Sequence, residues 1–519
     1  MGQEREPFLP FWDTALAQLA RYRKAAEKED PPGEMSLSCG ALDTIRTGDR
    51  TFIDQACKAV KASLPRNVIL NISGNAIFDI GDEDDGLKRL REAASLRASQ
   101  KNRQDLAARL AAIDEHIEAL DLYRRLLEDD PGDAPTLVRH AWVLLNLGEW
   151  EEAEESCRQA LEASPTDGQG RFALAQALEG QGRFAEAVKE YKKARRHGVR
   201  KAQAHFVLMR LGLSLLLLGE PKKAKKAAKR ALALEPGYKH AVALLDYADG
   251  DEDPAVRSYY DGYPSRAYHS LKAKAARGEC PDIGTLLLGS MESIRTKDRR
   301  HIEEAVEAVR GKLPEDTVLH ILAETKCRLG ETAEGIALMR QAVALSPTEY
   351  HLVALAANLF VVPGSEPEAR KLCEEVLAKK PGQYCALLNL AWIEGREDLP
   401  KGLEMVRRAS QDAPYDADAH LFMGQSLVHL GRYEEAIEEF RRVLAFSTEP
   451  RWCEEPPMNV QAWAGIADCY AELGDGRRAR LYAEWALRKA PSYDYAKQVL
   501  DELEEDGDTN APARADRLK

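Results

Sequence analysis

At 519 residues the chain exceeds what one hydrophobic core fills, about 250–300 residues, so it must divide into domains or extend by repetition. Its composition, 44% hydrophobic and 31% charged with 7% aromatic, favours helices with one buried and one solvated stripe, which points to repetition. A formal charge of −13 excludes a chain that as a whole seeks nucleic acid or anionic lipid.

The N-terminus shows no charged-then-apolar signal pattern, and Glu6 stands where a myristoylation motif needs Ser or Thr. Residues 8–30 read as helical, as do 259–279, and neither segment follows the pattern of the rest; each is expected to cap an array. Ala41 to Arg46 and Ser290 to Arg295 open a less regular helical pair. From there a period emerges. Pro131 and Pro165 lie 34 residues apart, and Pro314, Pro347, Pro381 and Pro414 are spaced by 33, 34 and 33. A period of about 34 residues is that of a helix–turn–helix solenoid.

Ala134 to Asp167 shows how one unit works. Leu137, Ala141 and Leu144 form the stripe of a first helix, and Gly148 ends it where positive φ is tolerated. Trp150 opens a second helix striped by Ala153, Cys157 and Ala160, and Pro165 closes the unit. This order of small residue, Gly, aromatic, Ala, large residue, Ala and Pro resembles the tetratricopeptide repeat. Ala175, Gly182, Phe184, Ala187, Tyr191 and Ala194 repeat it. So do Gly424, Gly431, Tyr433, Ala436, Phe440 and Val443, and then Ala467, Gly474, Ala479, Ala486 and Pro491. Weaker copies surround Gly81, Gly219, Gly330 and Gly364, and the unit Lys101–Pro131 departs by placing Asp114 where the family prefers Gly. The resemblance spans most of residues 36–503 and implies an all-α solenoid of antiparallel helix pairs wound as a right-handed superhelix.

A longer period overlies the short one. Ile45-Arg46-Thr47 recurs as Ile294-Arg295-Thr296, a shift of 249 that also carries Gly81 to Gly330 and Pro165 to Pro414. Beyond the Pro-containing stretch Thr448–Asn459 the shift is 255. The expectation is a tandem duplication: an array over 1–250, its duplicate over 251–503 with an acidic seam at Asp249–Asp253, and a disordered tail over 504–519.

Enzyme signatures are absent. No phosphate-cradling glycine loop, Gly-x-Ser-x-Gly elbow or His-Glu-x-x-His motif occurs. Asp416, Asp418 and His420 cluster, but helix capping accounts for acidic residues at a helix entry. Nine scattered cysteines without zinc spacing read as packed thiols of a reduced compartment. The most apolar stretch, Val207–Leu218, is broken by Arg210 and is shorter than the roughly 20 residues a membrane span needs. The expected protein is therefore cytoplasmic, non-enzymatic and without cofactor or metal, binding a peptide or helical segment of another protein.

In the repeat family, set positions on each first helix line the concave side. Carried over, they are Asn71, Asn75 and Phe78, then Val138 and Trp142, Phe172 and Gln176, Met209 and Leu213, His320 and Glu324, Trp392, and Leu421 and Gln425. Trp142 and Trp392 correspond across the duplication, as do Gln176 and Gln425. Each Trp either anchors a partner or packs against a neighbouring helix. Gly74, Asn75 and Phe78 resemble part of a carboxylate clamp for acidic chaperone tails, yet Asn71 stands where Lys belongs, so no such tail is expected. Between Lys189 and Arg230 fourteen basic residues face two acidic ones. One cluster holds Lys192, Lys193, Arg195, Arg196, Arg200 and Lys201. A second holds Lys222, Lys223, Lys225, Lys226, Lys229 and Arg230. They form a solvated helix face or a patch for an anionic partner. Nucleic acid is the weaker candidate, because Tyr191 and Phe206 are the segment's only aromatics. A regulatory subunit of an enzyme complex is the other alternative.

Overall fold

A computed structural model describes residues 33–113, 115–199, 203–249, 264–360, 362–410, 417–446 and 457–505. Among the described residues there are helices and no strand. Expectations for residues 8–30, Asp114, Arg200, Lys201, the seam beyond Asp249, Asp416, the stretch 448–456 and the tail beyond Glu505 lie outside them. Contacts divide the chain into two compact units, Met1–Asp249 and Gly250–Lys519.

The first unit runs as pairs: α1 (Gly33–Thr47) with α2 (Thr51–Val60), and α3 (Arg66–Asp79) with α4 (Glu83–Leu96). Then come α5 (Gln100–Ala112) with α6 (His116–Asp129), and α7 (Ala134–Asn146) with α8 (Trp150–Ala163). Next are α9 (Gly168–Gly180) with α10 (Phe184–His197), α11 (Ala204–Leu217) with α12 (Pro221–Leu234), and lastly α13 (Lys239–Asp249). The second unit opens with α14 (Pro264–Ala276), inside the expected 259–279. Its pairs are α15 (Asp282–Thr296) with α16 (Arg300–Ala308), and α17 (Glu315–Arg328) with α18 (Thr332–Leu345). They continue as α19 (Glu349–Leu359) with α20 (Glu366–Lys379), and α21 (Tyr384–Glu397) with α22 (Leu399–Ala409). The last are α23 (Ala417–His429) with α24 (Tyr433–Phe446), α25 (Met458–Glu472) with α26 (Gly476–Lys489), and α27 (Asp494–Glu505).

Sequence chemistry explains the pairing. At Gly148 the backbone turns to φ 74°, the Glu149 N–H bonds the Leu144 carbonyl at 2.9 Å, and the chain reverses into α8. The same closure joins α9 to α10, where Gly182 has φ 72° and the Arg183 N–H bonds the Leu178 carbonyl. Ala141, Ala153, Cys157 and Ala160 are all fully buried at the α7–α8 crossing. Successive first helices also touch, α3 with α5, α7 with α9, α23 with α25, whereas among the described residues the substantial contacts include no two successive second helices. Within each unit the first helices therefore make an inner layer and the second helices an outer one.

Backbones approach closely between α21 and α22. A Cβ on Gly402 would lie 2.6 Å from the Gly395 Cα and 2.8 Å from the Ala391 carbonyl oxygen. Gly402→Ala gains up to about 1 kcal/mol of helix propensity but should lose about 1–3 kcal/mol to overpacking, a net loss visible in chemical denaturation.

His140 on α7 is buried and its Nδ1 lies 3.0 Å from the Ser156 hydroxyl on α8. Burial depresses the imidazole from its ordinary 6.5 to about 4. The unfolded chain binds that proton first, so His140's contribution is whole above pH 6.5 and is lost as the pH falls toward 4. Its size is of the order of 3 kcal/mol. Melting between pH 7 and 4 should show a steeper loss in the native sequence than in His140→Gln.

Candidate protein-interaction surface

The inner layer of the first unit is organised by rings. Phe172 on α9 is 1% exposed and receives the edge of Trp142 from α7, with centroids 5.1 Å apart and planes at 63°. Its other side meets Phe206 of α11 at 5.8 Å and 80°. Three consecutive inner helices are thus joined by a Trp–Phe–Phe line. Edge-to-face contacts of this kind contribute about 0.5–1.5 kcal/mol beyond the area they bury. The second unit holds a similar line: Trp392 of α21 lies 5.8 Å from Phe360, just past α19, and 4.4 Å from Phe422 of α23, both edge to face. Trp142 and Trp392 keep part of their surface in solvent, so each combines packing with exposure.

The other expected groove residues are placed unevenly. Phe172, Leu421, Val138 and Met209 are buried between helices and offer a partner little surface. Gln176 is half-buried on α9, and its amide nitrogen has no hydrogen-bond partner among the described residues. Gln425 is tied to the next inner helix, 3.5 Å from Gln461. Asn71 is buried. Asn75 accepts a 2.8 Å hydrogen bond from Arg109 on α5, which also pairs with Asp79 and lies over the Phe78 ring. Arg109 therefore fills from within the place where a clamp would hold a ligand. His320 is 2% exposed beneath Tyr350, their rings 4.4 Å apart, and its Nε2 lies 3.5 Å from Glu324. Burial opposes ionisation of Glu324, but the adjacent His320 imidazole and the Arg328 charge prevail and hold the carboxyl below its usual range. Tyr350, unremarked in the sequence, is the exposed group there at 55%.

Buried polar bonds lock neighbouring helices. Glu179 on α9 is 2% exposed and accepts from the Tyr191 hydroxyl of α10 at 2.6 Å and from Ser214 of α11 at 3.2 Å. Arg210 of α11 lies 3.1 Å away. Burial, with the Glu179 charge beside it, pushes the Tyr191 phenol well up. In the second unit Glu394 is held by Arg370 and by Lys401 at 2.5 Å. His420, grouped by sequence with a helix entry, instead bonds Glu439 of α24 at 2.6 Å. No cluster of potential metal ligands occurs among the described residues. No helix of the described residues is long and apolar enough to cross a membrane. Cys157, Cys373 and Cys469 are free and buried, and burial raises the Cys373 thiol to about 11.

With helix pairs, turn geometry and inner layer in place, the class is that of a helical-repeat scaffold. The tetratricopeptide repeat pattern matches residues 115–168, 138–205, 172–239 and 395–450. Tetratricopeptide repeats therefore recur in the chain at these four places, and repeats of this kind support protein interaction. It is 26% identical over 180 residues to protein O-mannosyl-transferase TMTC1 of Homo sapiens, covering 34% of this chain and 19% of that protein. It is 27% identical over 155 residues to the antiviral innate immune response effector IFIT1 of Macaca fascicularis, covering 27% and 32%. Yeast Tom70, a solved structure, is 16% identical with a TM-score of 0.36, covering 85% of this chain and 95% of that one. The chain spans less than half the length of these curated relatives.

Tyr191→Phe removes one donor from the buried Glu179 while keeping the ring. Denaturant unfolding should show a loss of about 1–3 kcal/mol, and the loss should shrink when Glu179→Gln is already present.

Proposed function

We propose that the protein is a non-enzymatic adaptor whose inner layer binds an extended or helical segment of a partner protein. The observation that carries this reading is the pairing of Trp142 and Trp392. Each is half-buried on an inner helix and braced edge-on by a phenylalanine at the next inner helix, Phe172 or Phe422. A rigid indole, ordered before binding and partly solvated, gives a partner apolar area and an N–H donor at little entropic cost. The recurrence at a shift of 250 residues supports the further proposal that the two units descend from one duplicated array. It also implies two similar anchor sites.

Affinity capture from the native cell, with full-length protein as bait, identifies the partner. Trp142→Ala and Trp392→Ala should then each weaken its binding by about 2 kcal/mol or more, as loss of a hot-spot residue does. Trp→Leu at the same positions preserves most of the packing and separates lost contact from lost fold. Undiminished binding by both Leu and Ala variants would sink the proposal.

A further inference from the structure

We infer that the outer face formed by α10 and α12 is a second docking surface, and that its ligand is an acidic segment of a partner protein. Both helices pack against α11 from the outer layer and present consecutive solvent faces. On α10 the buried stripe is Phe184, Ala187, Val188, Tyr191 and Ala194, and the opposite side carries exposed Lys189, Lys192, Arg195 and Arg196. On α12 the buried stripe is wholly alanine, at 224, 227, 228 and 231, and exposed Lys222, Lys226, Lys229 and Arg230 cover the rest. None of these eight cations has an ion pair among the described residues. The anions of the two helices and their entries are already engaged: Glu186 by Arg183, Glu190 by Arg171 and Lys193, and Glu220 by Lys223. The corresponding helix of the second unit is different. Near its C-terminus Arg478 pairs with Asp475 at 2.6 Å and Arg480 lies 3.9 Å from Glu504, so the uncompensated charge belongs to the first unit.

Two features select an acidic peptide over nucleic acid. The aromatics of the two helices, Phe184 and Tyr191, are buried, so no ring is free to stack on a base. The chain total of −13 repels a long polyanion, whereas a short acidic segment feels the local field within a Debye length of about 8 Å. Repeated like charges on neighbouring helices repel one another, and a line of carboxylates removes that repulsion.

The test uses the full chain with a fluorescent glutamate-rich peptide and a single-stranded RNA of matching charge. The peptide should bind at low salt, weaken as salt rises, and outcompete the RNA. Lys192→Glu, Arg196→Glu, Lys222→Glu and Lys226→Glu combined should weaken binding by at least about tenfold and flatten its salt dependence. The corresponding Gln variant should fall between, and both should melt as the native chain does. Trp142→Ala should leave this binding unchanged, which separates the outer face from the inner groove. Failure of the peptide to bind, equal binding by the charge-reversed chain, tighter binding of RNA, or loss with Trp142→Ala would each overturn the inference. So would salt-sensitive association of the chain with itself that the peptide cannot displace.

Discussion

Close approach of two helix backbones within each pair is the constraint from which the remaining features descend. Two amphipathic helices share a core only if the residues at their crossing are small, and here those residues are Ala141 with Ala153, or Gly395 with Gly402. Once the backbones meet there, larger side chains such as Tyr191 and Phe440 fill the space left beside the crossing, and both are fully buried. A repeat of this kind still leaves one flank of each pair open, and burying that flank requires the next pair.

Stacking then divides the surface into two chemically different sides. First helices lie against first helices, so their free edges crowd together and accept rings: Trp142, Phe172 and Phe206 in one unit, Phe360, Trp392 and Phe422 in the other. Second helices stand apart on the outer side and accept long charged side chains instead. Aromatic order inside and uncompensated charge outside give the first unit two chemically distinct surfaces.

Buried polar groups add register to this packing. Glu179 is reached by α10 and α11 together, and shifting either helix would strand a carboxylate away from water at a cost of several kcal/mol. Arg109 does comparable work on the inner side, binding Asn75 and Asp79 of α3 from α5. These contacts specify one alignment among the many that alanine stripes alone would allow.

The periodic part of the protein was legible in the amino-acid order because helix pairing depends on local spacing. Alanine and glycine recur at crossing distance, Gly148 and Gly182 mark reversals, and the helices begin at Trp150 and Phe184 as that spacing implies. The basic faces were legible too, since charge and helical period suffice to place lysines outward. The inner surface was not. Position within a repeat identifies the helix face but not its exposure, so Phe172 and Leu421 went into the core while neighbouring Trp142 and Trp392 stayed half out. Nothing local distinguishes Glu179 from a solvated helix glutamate, or Arg109 from a free cation, because their partners lie 12 to 35 residues away. Sequence by itself determined the repeating helix pairs and the sign of their outer faces; tertiary packing decided which inner side chains are covered, because burial depends on neighbours that only the folded stack brings together.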